Sequence, residues 1–215
     1  GLMNAAEVEG GIAEPDNIHA ARTRLVALEN TSNRGGGSCL DFAEVEAVGA
    51  VARRHRLGFH LDGARLFNAL AAAGGSPRDY GAVFDSISIC LSKGLGCPVG
   101  SLLLGERDFI REARRIRKRF GGGWRQAGML AAAGIYALDH HVDRLPEDHA
   151  LAGRLGQCLA EQPWVADVNP VETNIVIFAL RDPGRGEQLV RALRDRGVRA
   201  MSMGQGKLRM VTHLD

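Results

Sequence analysis

The sequence predicts an α/β protein: a mostly parallel sheet flanked by helices, followed by a smaller α+β lobe. Three observations carry this. Through the first two thirds of the chain, short apolar segments alternate with helical patterns of about 10–15 residues, as in strand–helix–strand units. In Asp85-Ser-Ile-Ser-Ile-Cys-Leu-Ser-Lys-Gly-Leu-Gly96, Ile87, Ile89 and Leu91 alternate with Ser86, Ser88 and Cys90, the period of a strand, before glycines turn the chain. Near residue 145 the pattern changes to strand, helix, strand, strand. The domains are therefore set at 1–145 (large) and 146–215 (small).

In chain order, residues 4–11 form a short helical pattern that breaks at Gly10-Gly11. Residues 23–28 (Thr-Arg-Leu-Val-Ala-Leu) form an apolar strand, and residues 29–37 a polar, glycine-rich loop after it. Loops that follow buried strands are where α/β sheets bind ligands. Asp41 with Glu44 reads as an N-cap and its capping box, opening a helix to about Arg56 with Phe42, Val45, Val48 and Val51/Ala52 on one face. Residues 57–61 form a strand that ends at Asp62-Gly-Ala-Arg65 and runs into an Ala/Leu-rich helix to about Ala73. The Asp85–Leu91 strand and a short strand over 99–104 follow. Residues 108–120 form a helix with Phe109, Ala113, Ile116 and Phe120 on one side and Arg111, Arg114, Arg115 and Lys118 on the other. After Gly121-Gly-Gly-Trp-Arg-Gln-Ala-Gly128 come an apolar helix over 127–142 and another from Pro146 to about Glu161. Strands over 173–180, 198–203 and 207–213, with a helix over 186–196, complete the small lobe. Both ends read as cut: Gly1-Leu2-Met3 opens partway into a helical pattern, and Val211-Thr-His-Leu-Asp215 stops as a strand ends.

Composition narrows the function. The 215 residues suffice for one large domain and a smaller lobe. A net charge of +2 is too small to imply a nucleic-acid or membrane partner, and Glu106, Asp108 and Glu112 dilute the basic run of 107–119. No apolar run reaches the ~18 residues of a membrane span, and no signal peptide is visible. Cys39, Cys90, Cys97 and Cys158 have no metal-type spacing, so no metal is expected and reduced thiols in the cytoplasm are.

The lysine count is the sharpest compositional clue. Of 27 basic residues only Lys93, Lys118 and Lys207 are lysine. In a chain that uses arginine for nearly every cation, a lysine suggests work that guanidinium cannot do, such as forming a Schiff base. At the end of an apolar strand Lys93 should be partly desolvated, which favours its neutral, nucleophilic amine. The alternative is a strand-end lysine reaching out to solvent. In a parallel sheet the 29–37 loop, the turn at Asp62–Arg65 and Ser92-Lys93 share one edge. A carboxylate, an arginine and such a lysine suit an aldehyde cofactor with a protonated ring nitrogen. Lys93 would form the imine, Asp62 would hold the ring charged, and Arg65 could bind a carboxylate or the ring oxygen. For Asp62 and Arg65 the alternative is a helix N-cap with an exposed arginine.

His60-Leu-Asp-Gly-Ala-Arg-Leu-Phe-Asn-Ala69, Leu91-Ser-Lys-Gly-Leu-Gly-Cys-Pro-Val-Gly100, Gly121–Gly128, Leu28-Glu-Asn-Thr31 and Arg209-Met-Val-Thr-His213 resemble the low-specificity threonine aldolases, in that family's order and over essentially the whole chain. These are pyridoxal 5'-phosphate enzymes of the aspartate-aminotransferase fold type. The resemblance implies that Lys93 is the cofactor lysine, that Ser92 helps hold the phosphate, and that Asp62 is the ring-nitrogen partner. It also implies that Arg65 and Arg209 lie near the cofactor and the substrate carboxylate. Lys118 and Arg125 match a basic segment that approaches the active site at a subunit interface. The implied reaction cleaves L-threonine, L-allo-threonine and related β-hydroxy-α-amino acids to glycine and an aldehyde, in a cytoplasmic homodimer or homotetramer.

Two departures stand out. Family members carry a histidine near the substrate hydroxyl where this chain has Ser32. The family's N-terminal third, with a phosphate-binding turn and a ring-stacking side chain, and its C-terminal helix have no counterpart. A β-eliminating lyase and a non-catalytic fragment therefore stand as alternatives.

Overall fold

The computed structural model describes residues 2–14 and 16–214; Gly1 and Asp215, part of the expected cut ends, lie outside them. The first helix, α1 (Ala5–Gly11), has its own start: Asn4 and Glu7 form a capping box, so Leu2 and Met3 precede the helix. Next come β1 (Leu25–Glu29), α2 (Phe42–Arg54), β2 (Gly58–Asp62), α3 (Leu66–Ala73) and α4 (Pro77–Val83). The strands β3 (Ser86–Cys90) and β4 (Ser101–Gly105) follow, then the helices α5 (Arg107–Arg119), α6 (Gly128–His140) and α7 (Leu145–Ala160). The chain closes with β5 (Val165–Val168), β6 (Ile175–Leu180), α8 (Gly186–Arg194), β7 (Met201–Gly204) and β8 (Lys207–Val211).

The first sheet has the order β1-β2-β3-β4. Strands β1, β2 and β3 are parallel, with Glu29 beside Asp62 and Asp62 beside Ser88. Strand β4 runs back antiparallel to β3. The reason is geometric: only residues 91–100 separate the two, and a parallel return needs a crossover of a dozen residues or more. The core of this sheet packs α2 against it, through Val45, Val48 and Ala52, which are fully buried, onto Val26, Leu28, Phe59 and Leu61. Each of the buried valines, leucines and the phenylalanine contributes about 1.5–3 kcal/mol.

Two local expectations shift. Asp41 caps α2, but Glu44 does not close a capping box; its carboxylate accepts the Ala5 N–H at 2.5 Å, an otherwise unpaired donor at the start of α1. On α5 the apolar side exists but faces solvent: Phe109, Ile116 and Phe120 are 45%, 43% and 89% exposed, and no residue of the helix is buried.

The second sheet is antiparallel, in the order β5-β6-β8-β7. Its core joins Val176, Phe178, Leu208 and Met210 to Ala152 and Leu159 of α7 and Val190 of α8. Helix α7 also packs on α3, so it links the two sheets.

Candidate active site

The three parallel strands end together. The Asn30 N–H donates to the Asp62 carbonyl at 3.0 Å, and the Gly63 N–H to the Ser88 carbonyl at 2.8 Å. A Cβ on Gly63 would stand 2.9 Å from the Ser88 carbonyl oxygen, so only glycine lets β2 and β3 approach this closely. Just before it, one Asp62 carboxylate oxygen accepts the Ala64 N–H at 3.1 Å, turning the chain into α3. The carboxylate is otherwise exposed at the strand end.

The Ser92-Lys93 segment leaves β3 at the same edge. Its loop is held by main-chain bonds: Leu91 N–H to Gly100 O at 2.9 Å, Cys97 N–H to Leu91 O at 3.0 Å, and Gly96 N–H to Lys93 O at 2.8 Å. His141, which caps the C-terminus of α6, adds a contact from Nδ1 to the Leu95 carbonyl at 2.7 Å. Asn68 of α3 and Leu145 of α7 pack against Gly94. Lys93 is half-buried and Ser92 exposed.

A buried arginine closes the cluster. Arg65 is only 8% exposed. Burial pushes its pKa below the ordinary arginine value, and the neighbouring Arg209 pushes it the same way, while Glu29, Cys90 and Asp62 push back. Arg209 comes from β8 of the second sheet, so both lobes supply cations here. The Nε atoms of both arginines are buried with no hydrogen-bond partner. Two guanidiniums side by side with unused donors are built to receive an anion.

The 29–37 loop forms the facing wall. Asn30 is fully buried; its Nδ2 donates to the Tyr80 hydroxyl at 3.1 Å and its Oδ1 accepts the Leu40 N–H at 3.2 Å. Ser32 is 3% exposed, and its Oγ accepts the Gly35 N–H at 3.2 Å, so its hydroxyl turns into the loop's own bend. The second lobe clasps the loop: the Thr173 hydroxyl donates to Gly37 O at 2.7 Å, and the Cys39 N–H donates to Glu172 at 2.9 Å. Lys118 and Arg125 stand apart from these contacts, exposed on α5 and the loop after it, with Lys118 folded over Gly123.

Three contributors make contacts that the sequence pattern does not show. Asn33 takes a bond from Arg209. Asn68 and His149 lie 81 positions apart, and the Asn68 Nδ2 meets the His149 Nε2 at 3.1 Å beneath the lysine loop. Only the fold brings them together. Burial holds the pKa of His149 below the ordinary histidine value, so the neutral ring accepts the amide proton. The unfolded chain then takes up a proton before the folded one as pH falls below about 6.5. Stability should therefore drop on acidification, and more steeply in the parent protein than in His149→Gln. Thermal melts at pH 7.5 and 5.5 check this; equal drops in both proteins would contradict it.

Among the described residues, no group of three or more His, Cys, Asp or Glu side chains could hold a metal ion, and no helix is long and apolar enough to cross a membrane. A family model described as beta-eliminating lyase matches residues 1–183. The low-specificity L-threonine aldolase 1 of Arabidopsis thaliana is 38% identical over 217 residues, covering 99% of this chain and 61% of that protein. The low specificity L-threonine aldolase of Escherichia coli (strain K12) is 44% identical over 204 residues, covering 94% of this chain and 58% of that protein. This chain thus spans about three fifths of the length of these relatives. The solved structure of Leishmania major threonine aldolase superposes with a TM-score of 0.77 over 98% of this chain and 62% of that one, at 20% identity, which shows a shared fold.

Proposed function

This chain belongs to the beta-eliminating lyase family, and on that premise we propose that it is the main part of a pyridoxal-phosphate-dependent aldolase. Its substrates are L-threonine, L-allo-threonine and related β-hydroxy-α-amino acids, and its products glycine and an aldehyde. The observation that carries this is the pair Arg65 and Arg209, each with a buried, unpartnered Nε, at the strand edge that also bears Asp62 and Lys93.

The residues fit the cofactor. Lys93 offers an amine for its carbonyl carbon, and Asp62 an exposed carboxylate for its ring nitrogen. Ser92 offers a hydroxyl to the phosphate. When bound, pyridoxal phosphate supplies an electron-withdrawing ring that accepts the electron pair released as Cα–Cβ breaks. The chain's residues do the rest. Asp62 keeps the ring nitrogen protonated, and its charge counts most as negative charge builds up in the transition state. Arg65 and Arg209 orient the substrate through its carboxylate. A serine hydroxyl is no base near neutral pH, and that of Ser32 already accepts the Gly35 N–H; the β-hydroxyl proton therefore leaves to water or to another group. The proposal extends to a cytoplasmic homodimer or homotetramer in which Lys118 and Arg125 approach a neighbouring site.

Ser32 also favours a second reading, β-elimination, which needs no base at the hydroxyl. One incubation with pyridoxal phosphate and L-threonine separates the two. Glycine and acetaldehyde are expected; ammonia and 2-oxobutanoate would select elimination. No visible cofactor band and no product would overturn both.

A further inference from the structure

Arg209 is held in a particular way. Its Nη1 donates to the Asn33 Oδ1 at 2.5 Å, across the junction between the 29–37 loop and the second sheet. Asn33 is fixed in turn, because its own N–H donates to the Glu29 carboxylate at 3.1 Å. A guanidinium binds a carboxylate side-on through Nε–H and one Nη–H. With Nη1 taken by Asn33, the edge left open contains Nε, the atom that is buried without a partner. The acceptor on Nη1 is also neutral. An amide oxygen sets the plane of the guanidinium without spending its charge, whereas a carboxylate there would compete with the ligand. Glu29, the nearby acid, accepts its hydrogen bond from Asn33 and not from Arg209.

We propose that Asn33 is a positioning residue for the substrate carboxylate: it turns the open Nε edge of Arg209 toward the ligand while leaving that arginine's charge unopposed. This rests on the proposed function, because the anion in question is the carboxylate of the amino-acid substrate.

The test uses the cofactor-loaded enzyme and two probes, glycine and glycinamide, which differ in carrying a carboxylate or an uncharged amide. Binding is read from the change in cofactor absorbance on titration, without turnover. Asn33→Ala should weaken glycine by about tenfold, the loss of one charge-assisted bond's worth of orientation, and leave glycinamide within about twofold. The cofactor band itself should be unchanged. Asn33→Asp keeps the acceptor and the side-chain volume, so it guards against a variant that fails to fold. It should likewise weaken glycine selectively, because its charge competes for Arg209. Equal losses for both probes would mean that Asn33 only stitches the loop, and unchanged glycine binding in both variants would mean that it does not orient Arg209; either result overturns the proposal. If the parent enzyme bound cofactor but gave no response to glycine, the function proposed above would fail instead.

Discussion

Lys93→Ala is expected to abolish the visible cofactor band and to lower glycine formation by at least about 10³-fold, because it removes the side chain proposed to act covalently. Lys93→Arg is equally inactive, because a guanidinium stays protonated and cannot form the bond. The effect should be chemical and not structural. Lys93 is half-buried, and its loop is held by main-chain bonds and by His141, Asn68 and Leu145 around it. The melting temperature should therefore stay near the parent's, in keeping with the roughly ±0.5 kcal/mol of substitutions away from packed features. Absorbance, product assay and thermal melt on the same sample decide it. Activity in either variant would remove the lysine from the mechanism.

Asp62→Asn is expected to separate cofactor binding from turnover. The amide oxygen can still accept the Ala64 N–H, so the turn into α3 survives. What is lost is the negative charge proposed to keep the ring nitrogen protonated. Removing one preorganised electrostatic partner costs about 10²–10³ in kcat. A second consequence follows at Arg65. Asp62 is one of the groups that offset burial and the neighbouring Arg209 there. Losing it leaves the two guanidiniums less compensated, so the variant should bind carboxylate ligands somewhat more tightly even as it turns over slowly. A kcat equal to the parent's would show that the carboxylate has no part in the chemistry.

The strands and helices of the first lobe were legible because their apolar positions follow the periods of 2 and 3.6 closely. Of the inner face predicted for α2, Val45, Val48, Val51 and Ala52 are buried and Phe42, at the helix start, is half-buried. The direction of β4 was not written in its residues, because Leu102, Leu103 and Leu104 read the same in either orientation; the ten-residue connection decides it. Helix α4 carries a clear start in Ser76, Pro77 and Asp79 but is only seven residues long, too short for a periodic pattern. Strand β5 is shorter still, at four residues. At the candidate site, Asp62, Arg65 and Ser92-Lys93 could be placed at one edge from strand ends alone. The pairing of Arg65 with Arg209 could not, since 144 positions separate them and only the docking of the second sheet makes them neighbours. Ser32 shows the opposite limit. Its position in the loop was plain from the order of residues, but the direction of its hydroxyl depends on the bend at Gly35.

The tight seam at Gly63 divides the labour of the molecule. Because main chain touches main chain there, the spacing of β2 and β3 is set by the backbone itself at that point. The arginine from β8 and its amide partner, by contrast, join a loop to a separate sheet. In the proposed reaction the acid thus stands on the first sheet, while the carboxylate-binding arginine and its amide partner come from a second sheet and a loop.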